Sequence, residues 1–268
     1  MFEIAFDQAA GLRTAIPVVP ARVLPVAATA QPARGYELLC DLATRLSSHE
    51  QAVVIVDASA REAERRQGAD GQHLGLLHVL DDGGISGLGQ APGLAEWLVL
   101  PGARGLQSLV TTTASAGPAV ALSRLLVPFA AGALVLLYAP APSLSGLLGG
   151  LGAQVLVPLV DQPQASIDAY TSVKWLQGAG LRPSLVPVAD PLAPGQDGLR
   201  RLQDTVLDCA RRHLSLELDC WPTEAWTHRA MEMALAAPHH PYSWFTQGES
   251  SRATRTPHRR VHAHFSWS

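Results

Sequence analysis

Thr29, Arg34 and Gly35 stand between a short apolar run, RVLPVA from Arg22 to Ala27, and a helical pattern that begins at Gly35. Strand, loop and helix in that order make the frame of a phosphate-binding loop. The chemistry asks for more than the frame. Glycines must let backbone N–H groups wrap the phosphates, a lysine must neutralise the β and γ charge, and a Ser or Thr hydroxyl must reach Mg²⁺. Here Pro32 removes a backbone donor from the loop. Arg34 is no simple substitute for lysine, because its planar fork is bulkier and differently shaped. Lysine occurs once in the chain, at Lys174, within a helical pattern. The sequence therefore contains no ordinary phosphate-binding loop.

The acidic companion of such a loop is missing as well. In phosphate-loop proteins a strand commonly ends in an aspartate that helps to hold Mg²⁺. The apolar run Leu134–Tyr138 passes instead into Ala139-Pro140-Ala141-Pro142, with Tyr138 in the expected place. Asp57 does end a strand-like run, VVIVDAS, and a lone Asp there reads first as a turn or cap residue. Arg34 and Asp57 together are the pair from which an unconventional ATPase would have to be built. Other signatures are lacking: there is no G-x-S-x-G elbow and no H-E-x-x-H. The stretch DDGGISGLG, Asp81 to Gly89, reads as a loop. His239, His240, His258, His262 and His264 have metal-ligand chemistry, but they fall in a stretch without periodicity, where adventitious binding or none is expected. Phe265 and Trp267 beside Arg259 and Arg260 lack the helical pattern that membrane-surface binding needs.

The elements that would position these residues are easier to read. By composition the strands are Arg22–Ala27, Ala52–Asp57, Trp97–Leu100, Leu134–Tyr138, Val155–Val160 and Ser184–Val188. Each is a short Val- or Leu-rich run bounded by Gly, Pro or Asp, the composition of strands buried on both faces of a mostly parallel sheet. Helical spacing is seen over Gly35–Ser47, Ser166–Gln177 and Gly198–Leu214, and a further helix is expected over Glu224–Ala236. Ser166 is a candidate N-cap, and Gly178 or Gly180 a candidate terminator. The long apolar stretch 119–140 is interrupted by Arg124, Pro128 and Gly132, so it reads as a buried helix followed by a buried strand rather than a membrane span. The alternation implies a doubly wound α/β domain.

The totals agree with that reading. A chain of 268 residues, 47% hydrophobic and 16% charged, can bury a large core. A net charge of -3 gives no electrostatic reason to expect nucleic acid. Cys40, Cys209 and Cys220 are odd in number and widely spaced, as expected of free thiols in a reducing compartment. No secretory signal opens the sequence, so a cytoplasmic location is expected. The organisation expected is an N-terminal segment at 1–20, an α/β domain at 21–240, and a basic, His-rich flexible tail at 241–268.

Two stretches carry a family resemblance. Asp7-Gln8-Ala9-Ala10-Gly11-Leu12-Arg13 is similar to the D-Q-A-x-x-L-R motif that opens the FlhG (FleN) proteins. VLVPLVDQPQASIDAYTSVKWL, Val155 to Leu176, resembles that family's strand, proline and S-x-x-D-A-Y…I-K-x-L segment. Ser166, Asp168, Ala169, Tyr170, Lys174 and Leu176 match, with Val173 in place of Ile. VVIVDAS and LVLLYAPAPS fall in the order of the family's other strands. Over most of residues 1–240 the sequence thus resembles a degenerate FlhG-like member of the MinD/ParA ATPases. The resemblance implies a MinD/ParA-like fold without a working phosphate loop, hence no nucleotide cofactor and no enzymatic cycle. It implies a regulator or adaptor in flagellum biogenesis that docks an FlhF-type GTPase through Phe6, Asp7, Gln8, Ala9, Leu12 and Arg13, and is recruited to a cell pole by that partner. A nucleotide-independent homodimer and a mixed dimer with an intact relative both stay open. So does a scaffold role in another polar or secretion assembly.

Overall fold

The computed structural model describes residues 19–30, 32–62, 75–82, 97–188 and 197–237. The chain divides into a unit of Met1–Ala237 and a unit of Pro238–Ser268, and every described residue lies in the first. The docking residues expected at Phe6, Asp7, Gln8, Ala9, Leu12 and Arg13 lie outside the described residues, as do the five histidines from His239 onward.

Strands β1 (Arg22–Ala27), β2 (Val53–Asp57), β3 (Leu98–Pro101), β4 (Leu134–Ala139), β5 (Gln154–Val160), β6 (Arg182–Val188) and the two-residue β7 (Asp219–Cys220) form one parallel sheet in the order β3-β2-β4-β1-β5-β6-β7. The short β8 (Leu235–Ala236) joins antiparallel to the start of β1. All six residues of β4 and all seven of β5 are buried, which is why these strands read as unbroken apolar runs rather than alternating ones.

The helices are α1 (Pro32–Ser47), α2 (Leu76–Asp82), α3 (Ala103–Ala116), α4 (Pro118–Leu126), α5 (Ala141–Leu148), α6 (Ala165–Gly178), α7 (Asp197–Leu214) and α8 (Trp226–Met233). The chain leaves β1 toward β2 in one direction and later travels from β4 to β5, β6 and β7 in the other. Right-handed crossovers then place α1 and the later helices α5 to α7 on opposite faces. The packing agrees: α1 meets α8, whereas α3 to α7 pack in a row on one another. On α1, Leu38, Leu39, Leu42, Ala43 and Leu46 form the buried stripe. At about 1.5–3 kcal/mol for each fully buried Leu, that stripe rather than helix propensity holds α1 on the sheet.

Two expectations are corrected. The helix anticipated over Glu224–Ala236 is a 3₁₀ turn at Thr223–Ala225 followed by α8, and the chain turns extended at Ala234 so that Leu235 and Ala236 pair with Val23 and Arg22. That pairing satisfies backbone groups of β1, and Arg22 also donates to the Met231 carbonyl at 2.6 Å. Ser166 is not the cap of α6. Gln164 takes that position with φ 67, and its carbonyl accepts the Ile167 and Asp168 amides at 2.9 and 3.0 Å, which leaves Ser166 inside the first turn. At the other end α6 runs to Gly178, and Gly180 supplies the left-handed turn (φ 73) that leads into β6. Three helices are unheralded, α2, α5 and α3, and of these α3 occupies a stretch whose TTTASA sequence favours turns. Its hydroxyls are rebonded within the helix, where Thr111, Thr112, Thr113 and Ser115 each donate to the carbonyl four residues back.

Candidate functional site

The loop that follows β1 lies where the frame requires, but a side chain fills the space beneath it. In the sheet register Tyr138 stands between Val26 of β1 and Asp57 of β2. Neighbours in register point to the same face, so Tyr138 and Asp57 both rise toward the start of α1. Tyr138 is fully buried. Its hydroxyl accepts the Thr29 backbone N–H at 3.2 Å. A loop amide of the kind that would face a phosphate is thus spent on a phenol from the chain itself.

Gly35, in the first turns of α1, is what lets the ring in. A Cβ at that position would lie 2.3 Å from the Tyr138 hydroxyl oxygen and 2.9 Å from Cζ. The Gly35 of the sequence frame therefore makes room for an aromatic ring rather than for a backbone turn around phosphate. Tyr36 stands edge-on to Tyr138, with ring centroids 6.2 Å apart and planes at 81°, a favourable T-shaped pair.

Asp57 completes the cluster from β2. It is 7% exposed. Its Oδ1 accepts the Ser59 amide at 2.9 Å, the Ser59 hydroxyl at 2.6 Å and the Ala60 amide at 3.2 Å. This is the turn-capping role that a lone Asp at a strand end suggests. Burial holds the Tyr36 phenol well above its ordinary value, and the charge of Asp57 and a side-chain hydrogen bond to it push the same way. Burial also raises the Tyr138 phenol, partly opposed by its hydrogen bonds with Thr29. Both tyrosines are neutral hydrogen-bonding groups at any physiological pH. Arg34, the other residue singled out in the loop, forms an ion pair with Glu37 at 2.6 Å in α1. Lys174 is exposed on α6, on the far side of a helix from which Val173 and Leu176 enter the core.

Sequence reasoning missed Glu62. It is 8% exposed and lies just beyond β2. One carboxylate oxygen accepts the Gly105 amide at 2.7 Å and the other the Leu77 amide at 3.0 Å. A single side chain thus caps the starts of α2 and α3 together. Gly75 and Gly105 permit the close fit, since a Cβ on either would fall within 2.6 Å of Glu62 or Leu76 atoms. A lone glutamate outside any motif carries no sequence signal for such a role.

On the other side of β1 the crevice toward β5 is open. A cavity of about 270 Å³ lies there, bounded by Ala27–Ala30, by the end of β5 and by the turn into α6. Among the described residues no group of three or more His, Cys, Asp or Glu side chains is placed to hold a metal. No helix among them is long and apolar enough to cross a membrane.

No protein-family model matches the sequence, and no curated protein matches it. Solved structures do resemble the fold. Cyanothece McdA, determined as a variant in complex with ATP, aligns over 81% of this chain and 89% of its own, with a TM-score of 0.50 and 16% identity. A ParA family ATPase from Chlorobium tepidum aligns over 79% and 98%, with a TM-score of 0.41 and 13% identity. The MinC:MinD cell division protein complex of Aquifex aeolicus aligns over 78% and 86%, with a TM-score of 0.40 and 13% identity. At these identities the likeness concerns the fold alone, and the first alignment carries it. The mostly parallel sheet flanked by helices on both faces is thus an α/β fold of the kind seen in McdA.

Proposed function

We propose that this chain is a non-enzymatic adaptor: a ParA/MinD-like domain that does not bind nucleotide. One observation carries the reading. The Tyr138 phenol lies under the loop after β1, takes the Thr29 amide and abuts Gly35. A triphosphate in that loop would have to displace a fully buried aromatic ring and would find no lysine to neutralise it. Asp57, the acid that an unconventional ATPase would recruit, already serves the Ser59–Ala60 turn and Tyr36.

The test is calorimetric titration of the full chain with ATP and with ADP, each with Mg²⁺. The expected result is no heat and no thermal shift at about millimolar nucleotide. Saturable binding in the micromolar range would refute the reading, because the phenol would then have to leave its site.

The partner is proposed from the sequence resemblance. Phe6, Asp7, Gln8, Ala9, Leu12 and Arg13 form a docking segment for an FlhF-type GTPase, through which the protein acts in flagellar assembly and reaches the cell pole. Replacing Gln8, Leu12 and Arg13 together by Ala is expected to abolish capture of the GTPase by the full-length protein. Unchanged capture removes this segment from the interface.

A further inference from the structure

We propose that the crevice between β1 and β5 is a binding site for one cationic, hydrogen-bond-donating group of the guanidinium or ammonium class. β1 and β5 are adjacent in the sheet, and the chain leaves them toward opposite faces, through α1 and α6. Such a switch point leaves an open crevice at the carboxyl ends of the two strands. On the β4 side of β1 the space is occupied by Tyr138; on the β5 side it is the cavity of about 270 Å³.

The lining decides the ligand. Among the described residues no Lys, Arg or His contributes to the wall, and Asp168 is its one charged residue. The Asp168 carboxylate makes no ion pair or hydrogen bond among the described residues; its backbone amide is engaged by the Gln164 carbonyl. Gln162, another wall residue, has a buried Oε1 without a hydrogen-bond partner among the described residues. Gln162 thus offers a buried acceptor without a donor, and Asp168 a solvent-exposed carboxylate with no protein partner among the described residues. Val157, Pro158 and Val160 supply an apolar wall suited to an aliphatic stem, and Ser172 lies one helical turn beyond Asp168. A phosphate entering here meets a like charge with no counter-charge, whereas a cation pairs with Asp168 and its stem covers the apolar wall. The rim is also held in an uncommon shape. Gln164 keeps φ 67 without being glycine, a conformation that persists only where its surroundings impose it.

The site rests on the cavity and its acceptors alone, so it stands or falls independently of the nucleotide titration. The full-length protein is titrated with N-acetyl-arginine amide, with its neutral isostere N-acetyl-citrulline amide, with agmatine, and with a short neutral peptide bearing one arginine. Saturable binding of the arginine compound at about millimolar or better is expected, at least roughly tenfold tighter than the citrulline compound. Asp168→Asn, which keeps the side chain's shape at an exposed position, is expected to remove that preference. Ser172→Phe fills the cavity from its outer wall and is expected to abolish binding, with thermal melting confirming that both variants fold. Tighter binding of the peptide than of agmatine assigns the site to an arginine presented by a partner protein; the reverse assigns it to a free amine. Equal binding of the arginine and citrulline compounds, no saturation by about 10 mM probe, or an unchanged preference in Asp168→Asn overturns the proposal.

Discussion

Gly35→Ala is the most direct perturbation of the filled loop. In an ordinary helix this change stabilises, by up to about 1 kcal/mol. Here the new methyl would sit 2.3 Å from the Tyr138 hydroxyl oxygen, 2.9 Å from Cζ and 3.1 Å from Cε2. The ring has little freedom to yield, since it is fully buried, bonded to the Thr29 amide and braced edge-on by Tyr36. Overpacking of this kind costs about 1–3 kcal/mol. Set against the helix gain, the net expectation is a loss of about 0–2 kcal/mol, or a fall in Tm of up to roughly 8 °C for a domain of this size. Urea denaturation of four proteins measures it: wild type, Gly35→Ala, Tyr138→Leu and the double variant. The leucine is shorter than the phenol and vacates the space near the helix, so alanine at 35 should be less harmful, or even stabilising, in its presence. A coupling energy of about 1 kcal/mol or more is expected from the cycle. Gly35→Ala that stabilises wild type by the full helix increment, with no coupling to position 138, would refute the reasoning that Tyr138 occupies the space under this helix.

Two further perturbations probe the surroundings. Glu62→Gln leaves one acceptor where two helix starts need one each, and is expected to cost about 1–3 kcal/mol in urea denaturation; a change within about 0.5 kcal/mol would mean that the two amides find other partners. Cys220 has its thiol pushed from an ordinary 9.0 up to about 11, chiefly by burial and then by the Asp219 carboxylate, with Arg229 opposing. A folded-state value above the unfolded one means that this contribution to stability is fully present below pH 9 and is lost as pH rises through about 11. Alkylation at Cys220, followed by peptide mapping at about pH 9, should therefore be much slower in the native protein than in the urea-unfolded chain, and equal rates would contradict the assignment.

The sheet was legible because its strands are buried on both faces. A run such as VVIVD or LVLLYA has few other ways to be accommodated, so β1 to β6 were placed to within a residue or two. The helices divided by chemistry. α1, α6 and α7 announce themselves by periodicity, whereas α2 is only seven residues long, α3 hides its helix behind threonines and α5 begins directly after Pro140, so none of these three is expected from the sequence. The two-residue strands β7 and β8 carry no pattern long enough to detect. At the site, the tyrosine in the place of an aspartate was visible in the sequence, but its use was not. The contact between Thr29 and Tyr138 joins residues 109 apart, and only the β1–β4 register brings them together. Glu62 was illegible for the same reason, since its partner Gly105 lies 43 residues on.

The same strand order has a consequence for how the chain comes off the ribosome. β1 is synthesised well before its neighbours, yet it cannot pair with β2, which follows it, because β4 lies between them. Its neighbours are β4, β5 and β8, and the first of these begins at Leu134, about 110 residues later. At roughly 5–20 residues per second, the apolar segment Val23–Ala27 waits on the order of 5–20 seconds for a partner. During that interval it is an unsatisfied strand with two bare edges, the kind of species that aggregates or recruits a chaperone. Expression yield should therefore respond to translation speed between β1 and β4 even where the mature fold is unchanged.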